Sequence, residues 1–354
     1  MKRTPKEYKV FDKVMDDSIT KLVKLCSSAG TESLLQEILT TCVKLGMESS
    51  DTGDLKLINN CLKELRYSFK IFSPYRNIKK AIIFGSARSG KDSAEYKMAE
   101  EFAEKITKKG YMVVTGGGPG VMEAGNKGAG LGKDFALNIR LPFEQKPNPY
   151  LDEKERLINF KYFFTRKLIF IKETDATALF PGGFGTNDEG FEALTLMQTG
   201  KSRPRPVILM EPRGSTYWAG WIRFLEEQLV KNGFINKQDL NLFQLARSAD
   251  EAVKYIEIFY KVYHSLRYVA GLTVLRLNRP LSGTTLKSIN HEFKDILTEG
   301  RIMPSFALKE ELEKQEYPDL PRLVMKFNLR DYGRLFELIR IINEDRNPNL
   351  GGGC

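Results

Sequence analysis

The fold is decided by residues 176–189, which read ATALFPGGFGTNDE. An apolar, strand-like run, Ala176 to Phe180, leads directly into three glycines and then into a helix-like segment. A strand that feeds a helix through glycines leaves backbone N–H groups unpaired at the positive end of the helix dipole. Proteins bind phosphate at such positions. The stretch therefore predicts an α/β fold with a phosphate site at the end of a strand.

A second glycine turn comes earlier in the chain, at Thr115-Gly116-Gly117-Gly118-Pro119-Gly120. It does not match the dinucleotide fingerprint G-x-G-x-x-G, because Val121 and Glu123 stand where the final glycine would be. We therefore expect no nicotinamide or flavin, and no other cofactor. Glycines in this number predict a ligand that lies directly on the backbone. Glu123 is either a partner of the helix dipole or a ribose contact.

A third turn, residues 85–92, nearly spells a P-loop. The position after Lys91 must supply a hydroxyl to Mg²⁺, and here it is Asp92, which argues against an ATPase. Ser86 and Arg88 follow a strand-like run and are candidate ligand contacts. The alternative is an ordinary strand-to-helix turn.

Strand-like and helix-like segments alternate through the middle of the chain, which predicts a mainly parallel sheet with helices on both faces. We expect a Rossmann-like, doubly wound α/β fold with ligands at the carboxyl ends of the strands. The candidate strands are Lys80–Phe84, Tyr111–Thr115, Phe135–Arg140, Ala176–Phe180 and Pro206–Met210, and candidate helices include Ser93–Lys109 and Glu189–Thr199.

The flanking regions differ from this pattern. Residues 1–76 have helical periodicity and predict an α-helical N-terminal extension, and residues 77–262 predict the nucleotide-binding catalytic domain. Residues 263–346 predict a small β-α-β-α accessory unit, with strands at Tyr268–Leu277 and Arg322–Asn328 and helices at Thr284–Leu297 and Tyr332–Asn343. Residues 347–354 predict a disordered tail.

Composition narrows the class of protein. The chain has 354 residues, 42% of them hydrophobic, and a net charge of +10, which is consistent with attraction of anionic ligands or with a solvated basic surface. Its four cysteines and two histidines suggest neither disulfides nor a metal site, and no apolar leader or membrane span is visible. We expect a cytoplasmic protein without a membrane role, and the lack of a recognition signature argues against nucleic-acid binding.

One motif is specific enough to suggest a family. Residues 181–189 have the form P-G-G-x-G-T-x-x-E, and Arg166-Lys167 stands upstream of it. With the turn at 116–120, this resembles the LOG ("lonely guy") phosphoribohydrolases, which cleave the base from a nucleoside 5′-monophosphate. The segments 141–150, 163–167 and 198–201 are most similar to the longer bacterial nucleotide nucleosidases.

The resemblance implies roles for particular residues. Arg166 and Glu189 are the implied catalytic pair, which fits a reaction that builds positive charge on the ribose and needs a carboxylate beside it. No metal is implied. The implied substrate-binding residues are Ser86, Arg88, Gly117, Gly118, Gly120, Glu123, Lys167, Gly182, Gly183, Gly185 and Thr186. The family also implies a homodimer or a larger homo-oligomer.

Other interpretations stay open at this stage. A carrier of molybdenum cofactor or a nucleotide-binding protein of the same fold would use similar glycine turns without hydrolysis. The cluster Lys201, Arg203 and Arg205 is either a solvated loop or a second anion site. Phe184 is a candidate for stacking on a base, because the glycines around it offer little else to pack against.

Overall fold

The structure is a computed structural model that describes residues 8–28, 30–48, 51–140, 147–151, 155–313 and 315–346. The tail expected at 347–354, and most of the segment 141–150, lie outside these residues. The boundary between two compact units falls between Arg66 and Tyr67. Among the described residues, no helix is long and apolar enough to cross a membrane.

The first unit is helical. Helix α1 (Lys13–Cys26) begins after Asp12, whose carboxylate accepts a hydrogen bond of 2.9 Å from the N–H of Met15. This is the usual way in which an aspartate caps a helix. Helix α2 (Glu32–Glu48) follows, and α3 (Thr52–Phe72) continues across the unit boundary.

A seven-stranded parallel sheet is the centre of the second unit, with strand order β4-β3-β2-β1-β5-β6-β7. Its central strands are fully buried because helices cover both faces, and such strands read as continuous apolar runs. This confirms the Rossmann-like fold. The strands are β1 (Lys80–Phe84), β2 (Met112–Thr115), β3 (Asp134–Ile139), β4 (Leu157–Phe160), β5 (Ala176–Leu179), β6 (Val207–Met210) and β7 (Gln244–Ala246).

The covering helices present apolar faces to this sheet. Helix α4 begins after Ser93, whose hydroxyl accepts a hydrogen bond from the N–H of Tyr96, and it buries Phe102 and Ile106 against the sheet. The helices of this region are α4 (Ala94–Lys108), α5 (Val121–Ala129), α6 (Phe163–Glu173), α7 (Phe184–Gln198), α8 (Tyr217–Phe224) and α9 (Ala249–Phe259).

The prediction that a helix begins at Glu189 is corrected, since α7 begins at Phe184. Gly183 is extended and caps the helix, so the second half of the glycine turn is already helical. Strands β4 and β7 were not predicted from the sequence. Both are edge strands of four and three residues, too short to show a clear hydrophobic period.

The C-terminal region contains a second sheet, which is antiparallel with strand order β10-β11-β9-β8. The predicted β-α-β-α order is therefore wrong in detail. Its elements are β8 (Tyr263–Val269), β9 (Leu272–Leu277), α10 (Gly283–Glu292), β10 (Leu297–Ser305), α11 (Lys309–Leu312), β11 (Arg322–Phe327) and α12 (Tyr332–Glu344).

Two local features explain the differences. The single strand expected at Tyr268–Leu277 is a hairpin that turns at Ala270 and Gly271, both with positive φ. The turn lacks the Asn-Gly or Asp-Gly pair that signals a hairpin in sequence. Strand β10 carries Gly300 and Pro304, which the sheet tolerates because β10 is an edge strand.

The contact between α4 and α5 gives a testable prediction. A Cβ at Gly128 would lie 2.1 Å from the carbonyl oxygen of Glu100, so Gly128→Ala forces the two helices apart. We expect it to lower the free energy of unfolding by about 1–3 kcal/mol in urea denaturation. The matched control is Gly220→Ala in α8, where a Cβ meets nothing within 4 Å. This variant should raise the free energy of unfolding by as much as about 1 kcal/mol, because alanine favours a helix more than glycine does. Equal effects of the two variants would contradict this packing.

Candidate active site

The site lies at the carboxyl ends of β1, β2 and β5, in a cleft of about 760 Å³. Strand β1 pairs with β2 on one side and β5 on the other, and successive connections leave it in opposite directions. Open α/β sheets bind ligands where the strand order switches in this way. The cleft therefore lies at the switch point of the strand order, where ligands bind in sheets of this kind.

Both glycine turns meet at Ser86. Its N–H donates to the carbonyl of Pro181 at 3.0 Å, and its carbonyl accepts from the N–H of Val121 at 3.1 Å. A Cβ at Gly182 would lie 2.2 Å from Thr186 Oγ1. The turn at 181–186 can therefore close this tightly only with a glycine at 182.

The second turn supplies unpaired donors to the cleft. Gly183 caps α7 without a side-chain hydrogen bond, and the first helical N–H to find an acceptor is that of Asn187, which donates to Gly183 at 3.2 Å. Within the described ranges, no acceptor is found for the N–H groups of Phe184, Gly185 and Thr186. With the helix dipole behind them, these three donors are placed where an anion could bind.

The first turn has a different local role. The N–H of Gly117 donates to the hydroxyl of Thr115 at 2.9 Å, so it is already paired. The side chain of Met122 covers Gly116 and Gly118, where a Cβ would lie 2.8 Å from its sulfur or methyl group. Of these residues, Gly116 and Met122 line the cleft, whereas Gly117 and Gly118 do not.

Two further predicted contacts are engaged elsewhere. A Cβ at Gly120, where φ is +68°, would lie 2.4 Å from the carbonyl oxygen of Ser86, so this glycine permits a close backbone approach. The carboxylate of Glu123 accepts from the hydroxyl of Tyr96 and pairs with Lys91 at 3.1 Å. Neither Gly120 nor Glu123 lines the cleft.

The structure brings Arg166 and Glu189 together from different helices. Arg166 Nη2 lies 3.9 Å from Glu189 Oε1, and both residues line the cleft. The guanidinium lies over the rings of Phe163 and Phe170, at 4.9 and 5.3 Å from their centroids. Its buried Nε has no hydrogen-bond partner among the residues described, so this group has a donor available for a ligand.

Glu189 is a buried carboxylate, only 5% exposed. Burial raises the pKa of its carboxyl, while the positive charges of Lys167 and Arg166 act in the opposite direction. Lys167 Nζ lies 3.4 Å from Glu189 Oε2 and 2.8 Å from Asp188 Oδ2. The lysine is therefore placed to neutralise Glu189 rather than to line the cleft.

Sequence reasoning missed the contribution of Tyr217. Its hydroxyl donates to the carbonyl of Gly182 at 2.6 Å and accepts from the Asn187 side chain at 2.9 Å. This fixes the turn from its outer side. Since Tyr217 lies in α8, far along the chain, no local motif could have revealed the contact. Phe184 is 97% exposed at the edge of the cleft.

Residues 114–256 match a family model described as "Possible lysine decarboxylase", the label under which LOG proteins are grouped. This region therefore resembles the LOG family. The glycine turns and both members of the Arg166–Glu189 pair fall within it.

Two named relatives and one solved structure are similar to parts of this chain. A probable cytokinin riboside 5′-monophosphate phosphoribohydrolase of Oryza sativa is 25% identical over 55% of this chain and 90% of its own length. A pyrimidine/purine nucleotide 5′-monophosphate nucleosidase of Escherichia coli is 30% identical over 38% of this chain, but the match spans only 31% of that protein. A solved molybdenum cofactor binding protein of Rippkaea orientalis is 21% identical, with a TM-score of 0.34 over 51% of this chain and 94% of its own.

The unpaired donors of α7 give a second prediction. Phe184 is the first helical residue and follows an extended Gly183, a position that accepts proline. Phe184→Pro removes both an N–H donor and the ring, whereas the control Phe184→Ala removes only the ring. We expect proline to weaken binding of ribose 5-phosphate about tenfold relative to alanine in calorimetric titration. Equal affinities of the two variants would mean that this N–H does not contact the anion.

Proposed function

We propose that the protein hydrolyses the N-glycosidic bond of nucleoside 5′-monophosphates, releasing the free base and ribose 5-phosphate. The observation that carries the proposal is a buried carboxylate, Glu189, in the same cleft as the unpaired N–H groups that begin α7. A nucleoside monophosphate needs both groups, one for the phosphate and one for the ribose.

The chemistry assigned to Glu189 follows from the reaction. As the bond between C1′ and the base nitrogen breaks, positive charge develops on C1′ and O4′, and a nearby carboxylate stabilises it. The carboxylate also orients a water whose oxygen bonds to C1′, and the departing base takes a proton. Arg166 would bind the ribose hydroxyls or the phosphate through its available donor, since its guanidinium is permanently charged.

Several parts of the sequence interpretation stay predictions here. These are the contacts of Ser86, Arg88, Gly182, Gly183, Gly185 and Thr186 with substrate, all of which line the cleft, and stacking of Phe184 on the base. A homo-oligomeric assembly and a cytoplasmic location are also predictions.

The direct test is Glu189→Gln. Removing the charge while keeping the shape should lower kcat for base release from AMP, GMP, CMP and UMP by about 10²–10⁴-fold, because the developing positive charge loses its partner. Binding of nucleotide and the unfolding midpoint should change little. Chromatography of the incubated nucleotides measures base release.

The matched control is Glu192→Gln, the same substitution one turn further along α7. It should retain near-normal turnover. Full activity of Glu189→Gln would overturn the role of this carboxylate. If the parent protein binds nucleotides but leaves them all intact, the carrier interpretation is favoured instead.

A pH dependence follows from the electrostatics of the pair. Because catalysis needs the carboxylate, kcat/KM should fall as pH drops through the pKa of Glu189, which burial holds above its ordinary value of 4.5. Lys167 opposes that shift, so Lys167→Gln should raise the pKa further and move the acid limb to higher pH. Lys172→Gln, at the other end of α6, is the control and should leave the limb in place. A shift toward lower pH in Lys167→Gln would contradict the assignment.

A further inference from the structure

A second cavity, of about 410 Å³, lies at the opposite edge of the parallel sheet. Lys80 is the first residue of β1 and Asp175 directly precedes β5, and both line this cavity. Because the catalytic cleft lies at the carboxyl ends of these strands, the second cavity lies at their amino ends. Its other wall comes from the antiparallel sheet, where β8 supplies Tyr263 and His264. We call it the basic cavity.

The charge of the basic cavity is strongly unbalanced. Seven lysine and arginine side chains line it, against two carboxylates, those of Glu173 and Asp175. Both carboxylates are already engaged: Asp175 pairs with Arg203 at 2.7 Å, and Glu173 pairs with Lys172. Two further cations pair with carboxylates outside the lining of the cavity: Arg267 with Glu316, and Arg276 with Glu311 and Glu316.

Three of these cations have no carboxylate partner in the part of the chain that the structure describes. Lys80 Nζ donates instead to the backbone carbonyls of Tyr75 and Ile78, at 2.7 and 2.8 Å. Lys79 Nζ lies over the ring of Tyr260, 3.8 Å from its centroid. Arg76 is exposed at the rim and has no ion pair among the described side chains.

Two buried donors on the wall are also unsatisfied. Tyr263 is 1% exposed and Arg276 is fully buried, and both line the basic cavity. The hydroxyl of Tyr263 and Nη1 of Arg276 find no hydrogen-bond partner within the described ranges. Buried polar groups are rarely left in this state, and a contact with an ion or a ligand is one recognised reason.

The local field agrees with the geometry. Burial lowers the pKa of the His264 imidazole to about 4, helped by the positive charges of Lys79, Arg276, Arg203 and Arg322. The same field that repels a proton from this ring attracts an anion. Tyr317 packs edge-on against His264, with ring centroids 4.6 Å apart, so the cavity also has an aromatic wall.

We propose that the basic cavity is a second ligand site, distinct from the catalytic cleft, which binds a phosphate chain through Arg76, Lys79, Lys80 and the unsatisfied donors of Tyr263 and Arg276. A volume of about 410 Å³ exceeds the needs of a single inorganic anion and falls in the range of small-molecule sites. Several cations on different walls favour a diphosphate over a monocarboxylate. The phosphate chain is free pyrophosphate or part of a nucleoside diphosphate.

The two histidines of the chain permit a local test. His264 lines the basic cavity, whereas His291 is an exposed residue of α10 that does not. In proton NMR of the full-length protein, inorganic pyrophosphate should shift the ring signals of His264 and leave those of His291 in place. A parallel titration with ADP distinguishes the sources: tighter binding of ADP indicates a nucleotide, and equal binding indicates the phosphate chain alone.

The variant for this test is the double substitution Arg76→Gln and Lys79→Gln, which avoids the buried ion pairs of Arg276. It should weaken pyrophosphate binding at least about tenfold. Lys97→Gln, an exposed lysine on α4, is the control and should bind as the parent does. Should the double variant misfold by circular dichroism, Lys79→Gln alone is used.

Either of two results would overturn the proposal: no shift of His264 at millimolar pyrophosphate, or equal affinity of the variant and the parent. Neither depends on turnover, so the outcome is separate from that of the proposed hydrolysis.

Discussion

The backbone of Ser86 is the constraint on which the cleft at the carboxyl ends of the strands depends. Its N–H donates to the carbonyl of Pro181, at the start of one glycine turn. Its carbonyl accepts from the N–H of Val121, at the end of the other. The turns approach so closely that side chains at Gly120 and Gly182 would collide with Ser86 or Thr186. Several glycines that suggest a ligand surface in the sequence are therefore needed first for backbone contact between turns.

The two glycine turns differ in how many of their backbone N–H groups are free. The turn after β5 leaves the first N–H groups of α7 unpaired. Tyr217 stabilises this turn from its outer side by donating to the carbonyl of Gly182. The turn after β2 pairs its Gly117 N–H internally and covers its glycines with Met122. The second turn therefore offers free donors to the cleft, while the first contributes to its wall.

The central strands and the second glycine turn could be predicted from the sequence because their signals are local. The predicted and observed bounds of β1 agree, since four consecutive buried apolar residues, Ala81 to Phe84, follow Lys80. Two features of the second sheet could not be predicted: the turn at Ala270 and Gly271, and strand β10 with its Gly300 and Pro304. Both depend on pairing between strands, which overrides the weak local preference of these residues for a turn or a strand.

The residues of the candidate site divide in the same way, into those that a local motif indicates and those that it does not. The motif named Glu189 and Arg166, but nothing local indicates that Lys167 lies beside Glu189 or that Tyr217 reaches Gly182. The cluster Lys201, Arg203 and Arg205 shows the opposite case. Its members lie close together in sequence, yet Arg205 is buried and only Arg203 lines the basic cavity.

The two edges of the sheet carry positive charge by different means. At the carboxyl edge, helix N-termini supply positive charge, so the cleft needs few cationic side chains. At the amino edge, helices end in unpaired carbonyl groups. Some cationic side chains there serve only to donate hydrogen bonds to these carbonyls. Arg205 is one, since its Nη1 donates to the carbonyl of Thr174 at 3.2 Å, just past the end of α6.

Structural duties of this kind do not account for every cation at the amino edge. Lys80 is held by two backbone carbonyls, Arg203 by Asp175 and Lys172 by Glu173. Lys79 and Arg76 have no such partner in the described structure. A charge that is partly removed from water costs free energy unless an opposite charge compensates it. Lys79 is half-buried at this edge. Burial lowers the pKa of its amine and Asp175 opposes only part of that shift, so a bound anion would add to the compensation that the fold supplies.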